Sequence, residues 1–179
     1  GVHALPHFSP DGETLFFVFD SATAPPGLWR MDIASGQAEL LSEPLPSDLS
    51  AALRPPETIT YPGLDGAPVP ALLFRPPQTP APGLVVIHGG PDWHFENWWY
   101  PFWAHLASRG WAVLAPNYRG STGYGRDWQA ASRFDFGGVD ADDCAAGAHY
   151  LARQGLADPG RIAVTGRSHG GFLTMSCLT

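Results

Sequence analysis

Lysine is absent from the 179 residues, so all ten basic side chains are arginine, a bias that codon usage explains without any functional meaning. Basic charge is also scarce. Ten arginines against seventeen acidic residues leave a net charge of −7, which repels phosphate backbones and anionic lipid surfaces. Neither nucleic acid nor a membrane is therefore an expected partner. Cysteine is nearly missing as well. Cys144 and Cys177 fall in segments of helical pattern without metal-ligand spacing, so they read as small packed apolar groups and suit a reducing, cytoplasmic compartment. No apolar run approaches the roughly 18 residues of a spanning helix. Because the chain opens on Gly1 and not on methionine, a signal peptide ahead of it stays open.

What is present is the composition of a globular chain, 44% hydrophobic and 15% charged. The first forty residues read as antiparallel β structure. Phe8-Ser-Pro-Asp-Gly12 is a turn, Thr14 to Phe19 and Gly27 to Ile33 are strands, and Ala34-Ser-Gly36 closes the second. So small a strand pair cannot bury both faces, which predicts a larger β structure beginning before Gly1. Residues 43–56, rich in Pro, Ser and Leu, form the expected linker to a second domain over 57–179. That domain opens with a hairpin, Thr58 to Tyr61 and Val69 to Phe74, around Gly63-Leu-Asp-Gly66. Then the pattern changes. Strands at Leu84–Ile87, Ala112–Ala115 and Ile162–Thr165 alternate with helices over about Tyr100–Arg109 and Val139–Gln154. Short apolar strands separated by amphipathic helices specify an α/β fold with a parallel sheet covered on both faces. Asp140, Asp142 and Asp143 crowd the start of the second helix, where the dipole favours negative charge; without calcium-loop spacing they read as a charged helix start, not as a metal site.

The chemistry concentrates in Gly166-Arg-Ser168-His-Gly170, placed between the strand Ile162–Thr165 and an apolar helix. In that context Ser168 is a candidate nucleophile on a strained turn, flanked by glycines because a Cβ at 166 or 170 would meet the adjoining strand and helix. His88-Gly-Gly-Pro91 directly follows the strand Leu84–Ile87, where an α/β hydrolase places an oxyanion loop. The Gly90 and His169 N–H groups are the candidate donors, with Gly89 in reserve, since Pro91 has no N–H.

Three segments in this order, "HGGP", "NYRGSTGYG" at 117–125 and "GRSHGGF" at 166–172, resemble the acylaminoacyl-peptidase branch of the prolyl oligopeptidase family. The likeness covers about residue 57 onward, and "FSPDG" followed by "LWRMDIASG" resembles one propeller blade of that family. It implies the N-terminal half of an α/β-hydrolase domain preceded by a β-propeller remnant over 1–42. It also implies a serine peptidase that passes through an acyl-enzyme on Ser168, acts on small or N-acylated peptides, and needs no cofactor. A tyrosine that completes the oxyanion hole in true prolyl oligopeptidases has no counterpart beside His88-Gly-Gly-Pro91, which argues against strict prolyl endopeptidase activity. An esterase or lipase of the same fold and a catalytically silent binding relative are the alternatives.

His169 adjoins Ser168, yet successive side chains at a turn diverge, so packing and not proton transfer is its expected role. His88 is expected to brace its loop. The aromatic cluster Trp93, Phe95, Trp98, Trp99, Tyr100, Phe102 and Trp103 fits a packed helix face and a site mouth equally well. In this fold the acid and base follow the nucleophile, and only 11 residues (179 − 168) do so here, so the triad partners are expected beyond the sequence and the piece alone is expected to be inactive.

Overall fold

A computed structural model describes residues 1–179. The chain divides into two compact units, Gly1–Pro55 with Glu96–His105, and Pro56–Phe95 with Leu106–Thr179.

In the first unit, β1 (Val2–Phe8), β2 (Thr14–Ser21), β3 (Ala24–Asp32) and β4 (Ala38–Leu40) form one antiparallel meander in sequence order. The sequence pattern predicts only β2 and β3. It misses β1 because Pro6 and a bulge between Ala4 and His7 break the alternation, and β4 because it has three residues. Phe17 pairs directly with Trp29 across β2 and β3, and the rings stack at 6.5 Å, while Phe19 meets Trp29 edge-on. Such cross-strand aromatic pairs hold register at roughly 0.2–1 kcal/mol each. A short helix, α1 (Ser47–Ala52), lies in the predicted linker and buries no residue. Within this unit Asn97 Oδ1 accepts the Ala22 N–H, and Trp98, Tyr100 and Trp103 lie ring to ring, with Tyr100 and Trp103 stacked at 4.0 Å.

The second unit opens with the hairpin β5 (Glu57–Pro62) and β6 (Pro68–Phe74). It continues through β7 (Ala81–Ile87), α2 (Pro101–Ser108, whose first half belongs to the first unit), β8 (Ala112–Pro116), α3 (Arg126–Ala130), α4 (Val139–Arg153), β9 (Ala157–Gly166) and α5 (His169–Ser176). The sheet order is β5-β6-β8-β7-β9. Strands β8, β7 and β9 run parallel, as the alternating pattern predicts, and the antiparallel hairpin makes the whole sheet mixed.

The apolar runs explain why β7 is central. Val85 and Ile87 point to one face with Leu73 and Leu114, where Cys144 and Leu151 of α4 and Leu173 of α5 complete a single core. Leu84, Val86 and Val113, on the opposite face, are buried too. A strand with both faces covered must be apolar throughout, and each such side chain contributes roughly 1.5–3 kcal/mol on leaving water. Strands β7 and β9 begin earlier than their apolar runs. Pairing jumps from Ala81 opposite Ala157 to Gly83 opposite Ile162, and Pro82 and Pro159 fall inside this irregular stretch, where a missing N–H breaks no ladder bond.

Above the irregularity the register is regular and ends with Ile87 opposite Gly166. Residues 88–91 and 167–169 therefore leave the carboxyl edge of the parallel strands side by side, the place where open α/β sheets build their sites.

Candidate active site

The turn after β9 carries an exposed serine in a conformation that serine rarely adopts. Ser168 has φ 57° and ψ −125°, immediately before α5, and its side chain makes no capping hydrogen bond. Strain of this kind costs on the order of 1–3 kcal/mol and persists only where the surroundings enforce it. Those surroundings are glycine. A Cβ at Gly166 would overlap the Gly170 backbone and sit 2.8 Å from the Ile87 carbonyl oxygen. One at Gly170 would overlap the same carbonyl and come within 2.6 Å of that of His88. The strand, the serine turn and the helix thus close on β7 with no room for a side chain at either flank.

The HGGP loop runs along this turn. A Cβ at Gly89 would lie 3.3 Å from Ser168 Cβ and 3.0 Å from the Arg167 carbonyl oxygen. Gly90 has φ 129°, a glycine conformation. Neither the Gly90 N–H nor the His169 N–H is used by a hydrogen bond of the protein, whereas the next two helical amides, Gly170 and Gly171, donate to the Arg167 and Ser168 carbonyls at 3.0 and 2.9 Å.

His88 anchors the loop from below. Its ring is buried, stacks on Tyr118 at 4.3 Å and takes Phe95 and Trp93 edge-on. Nδ1 lies 2.8 Å from the Gly89 carbonyl, which only accepts, so the ring proton belongs on Nδ1, and Nε2 faces Ser121 Oγ at 2.8 Å. The Tyr118 hydroxyl donates to the His88 carbonyl at 2.9 Å. Burial lowers the imidazole pKa to about 4, which keeps it neutral and makes it a brace.

The segment 117–125 supplies the rest of that support. Asn117 accepts the Phe95 N–H at 2.6 Å and donates back to the Phe95 carbonyl at 3.0 Å, gripping one residue from both sides. Thr122 faces His94 Nδ1 at 2.8 Å, and Gln129 in α3 donates to Asp92 at 2.7 Å. Two of the aromatic residues, Trp93 and Phe95, therefore pack around the loop's histidine.

The acidic start of α4 differs from the expected charged helix end. Asp140 and Asp143 are fully buried with specific partners, and only Asp142 is exposed. Asp143 takes Arg119 Nε and Nη2 at 3.0 and 2.7 Å, and Arg119 Nη1 reaches Asp65 in the β5–β6 turn at 2.6 Å. Burial pushes the Asp143 carboxyl up while the guanidinium pulls it back. Asp140 Oδ1 accepts the Gly137 and Ala141 N–H groups at 2.8 and 3.0 Å, and Oδ2 lies 3.1 Å from His169 Nε2. The His169 ring is thus turned into the protein, with Phe136 at 4.9 Å, and not toward the serine. Sequence reasoning missed Asp140, Tyr118 and Asn117. Their only signal was adjacency: two lie in the quoted 117–125 motif and one in the acidic cluster.

Fold and site together define an α/β protein whose exposed serine is wedged between a parallel strand and a helix, against a glycine loop from the neighbouring strand. Residues 93–179 match the Prolyl oligopeptidase family. By this match residues 93–179 belong to that family. It is 38% identical to the acylamino-acid-releasing enzyme of Sus scrofa over 143 residues, 74% of this chain and 19% of that protein. It is 40% identical to the uncharacterized peptidase YuxL of Bacillus subtilis over 124 residues, 66% of this chain and 19% of that one. A puromycin-hydrolyzing peptidase of Mycobacterium tuberculosis superposes with a TM-score of 0.82 at 34% identity, over 93% of this chain and 27% of its own. The chain therefore spans between a fifth and just over a quarter of the length of these relatives. No helix is long and apolar enough to cross a membrane.

Proposed function

We propose that this chain carries the nucleophile and oxyanion loop of a serine peptidase acting on short or N-acylated peptides. The carrying observation is the last rung of the β7–β9 ladder, Ile87 opposite Gly166, which brings a loop with an unspent amide against a strained, exposed serine. In this reading Ser168 Oγ attacks the acyl carbon and its proton passes to a histidine outside residues 1–179, since this fold brings its base from a loop well after the nucleophile. Charge gathers on the former carbonyl oxygen, which takes hydrogen bonds from the Gly90 and His169 N–H groups, with Gly89 in reserve. Each such donor is worth about 3 kcal/mol in the transition state. The start of α5 adds its dipole at the same point. The C–N bond then breaks, the amine leaves with the proton held by the imidazolium, and water hydrolyses the ester on Ser168.

Around this chemistry we place a propeller blade remnant over 1–42, a linker over 43–56 and an incomplete α/β-hydrolase domain over 57–179. The names of the acylamino-acid-releasing enzyme and the puromycin-hydrolyzing peptidase support a small, blocked or amide-linked substrate. Two thiols, with Cys144 buried, suit a cytoplasmic setting.

The test uses the full-length protein, a fluorophosphonate probe and three p-nitrophenyl or p-nitroanilide series: N-acetyl amino acids, free dipeptides and simple acyl esters. Labelling at Ser168, its loss in Ser168→Ala, and preference for acetylated anilides are expected. Turnover that survives Ser168→Ala would refute the nucleophile. Preference for acyl esters would instead make the protein an esterase, and labelling without turnover of any series a silent relative. Residues 1–179 alone are expected to be inert to the probe.

A further inference from the structure

The residue that follows the nucleophile has two parts with different duties. Its main-chain N–H is a candidate oxyanion donor, while its ring turns toward Asp140 and enters a mostly buried setting, with a side-chain exposure of 11%. Tyr118, Phe136 and Phe172 surround the imidazole at 6.3, 4.9 and 5.7 Å between centroids. The polar end of that setting is Asp140, whose carboxylate has no exposure to solvent and whose Oδ2 lies 3.1 Å from His169 Nε2. A carboxylate accepts, so Nε2 carries the proton in this contact. Asp140 is itself fixed, because its other oxygen holds the Gly137 and Ala141 amides at the entry of α4.

A buried carboxylate must have its lone pairs occupied or its desolvation goes uncompensated. Here three donors occupy them, and the third comes from the elbow. The link joins the start of α4 to the start of α5, 29 residues apart. With the ring held, the Cα–Cβ bond of residue 169 cannot swing, and the N–H on the same Cα keeps its aim. That restraint has work to do, since the preceding residue sits at a positive φ that a free chain would leave.

We propose that Asp140 and the His169 imidazole form a positioning pair that fixes the 169 amide for the oxyanion. This rests on the peptidase reading above. Asp140 touches no substrate in it; the pair acts through the backbone.

The experiment uses the full-length protein with N-acetylalanine p-nitroanilide as substrate and a peptide aldehyde as inhibitor, because the aldehyde's hemiacetal with Ser168 places an oxyanion in the hole. His169→Ala should lower kcat by about tenfold or more, a fraction of the 10²–10³ that loss of a whole donor costs, with KM moving less than about threefold. Aldehyde affinity should fall in parallel, and the thermal midpoint should drop as well, because one oxygen of buried Asp140 loses its donor; the assays are therefore run well below that midpoint. His169→Gln, whose amide reaches toward Asp140 as a donor, should recover most of the lost kcat. The double variant Asp140→Ala/His169→Ala should be no slower than His169→Ala alone. Where Asp140→Ala does not fold, the two His169 variants decide. A wild-type kcat and aldehyde affinity in His169→Ala, or a His169→Gln no better than His169→Ala, would overturn the proposal. Activity persisting in Ser168→Ala would instead remove the peptidase reading itself, so the two failures are distinguishable.

Discussion

The α-carbon of Gly170 faces the Ile87 carbonyl so closely that a Cβ built on it would overlap that oxygen. Helix α5 is therefore locked to the end of β7 by backbone contact, and the tolerance of position 170 measures that lock. Gly170→Ala should destabilise the protein by about 2–3 kcal/mol or prevent folding, because the obstacle is backbone and cannot rotate away. Gly171, the next residue, meets its nearest backbone atom at an ordinary 3.4 Å. Gly171→Ala should be neutral or stabilising by up to about 1 kcal/mol through helix propensity. Thermal unfolding of the two variants side by side is the check; equal behaviour would mean that the elbow is looser than described.

Ser168 itself stores strain that glycine would release. At φ 57° and ψ −125° a side chain is disfavoured, so Ser168→Gly should be more stable than Ser168→Ala by about 1 kcal/mol, after allowing for the extra freedom glycine has when unfolded. Both variants remove the proposed nucleophile, so activity does not distinguish them. Urea unfolding does, and a Ser168→Ala variant as stable as Ser168→Gly would show that the conformation is not enforced.

The crowding at Gly170 and the strained turn at Ser168 were legible in the amino-acid order itself, because glycine spacing around one serine has a local cause. So were the alternating strands and helices of the second unit and the β5–β6 hairpin, whose apolar periods and turn residues lie within a few positions of each other. What was not legible is long-range. Nothing near Asp143 announces Arg119, 24 residues earlier, nor does anything near Asp140 announce His169. A helix start rich in aspartate has a sufficient local explanation in the dipole, and that explanation hid two buried carboxylates. The strand order β5-β6-β8-β7-β9 was hidden for a similar reason: consecutive strands β6 and β7 do not pair, and only the packed sheet decides that. Helix α3, five residues without a buried side chain, has no apolar period to detect.

His88 predicts a specific pH dependence. Burial holds its pKa at about 4 in the folded protein, below the 6.5 of a free imidazole. Between those values the unfolded chain binds a proton that the folded one refuses, so stability rises with pH across this window and is lost as pH falls from about 6.5 toward 4. The loss at the acid end is on the order of 3 kcal/mol for this group. In the variant His88→Gln, which has no imidazole to protonate at this position, the stability difference between pH 7 and pH 4.5 should shrink correspondingly. Urea midpoints at the two pH values test this, and an unchanged difference would move the acid sensitivity to other groups.

Arg119 offers one guanidinium to two carboxylates in opposite environments, which separates burial from pairing. Asp143 has a side-chain exposure of 0% and Asp65 one of 53%, at nearly equal distances of 2.7 and 2.6 Å. Asp65 gains little from its bond because water competes for both partners, so Asp65→Ala should cost less than about 1 kcal/mol. Removing Asp143 leaves the half of the guanidinium that faces the core without an acceptor and opens the contact that ties residue 119 to α4, so Asp143→Ala should cost about 3–5 kcal/mol. High salt should weaken the Asp65 contribution further and leave that of Asp143 nearly unchanged, since only the exposed pair is screened. Chemical denaturation of both variants with and without added sodium chloride, at about 1 M where the screening length is only a few ångströms, gives the comparison. Similar losses at the two positions would mean that the guanidinium is bound by charge alone and that its burial against α4 contributes nothing.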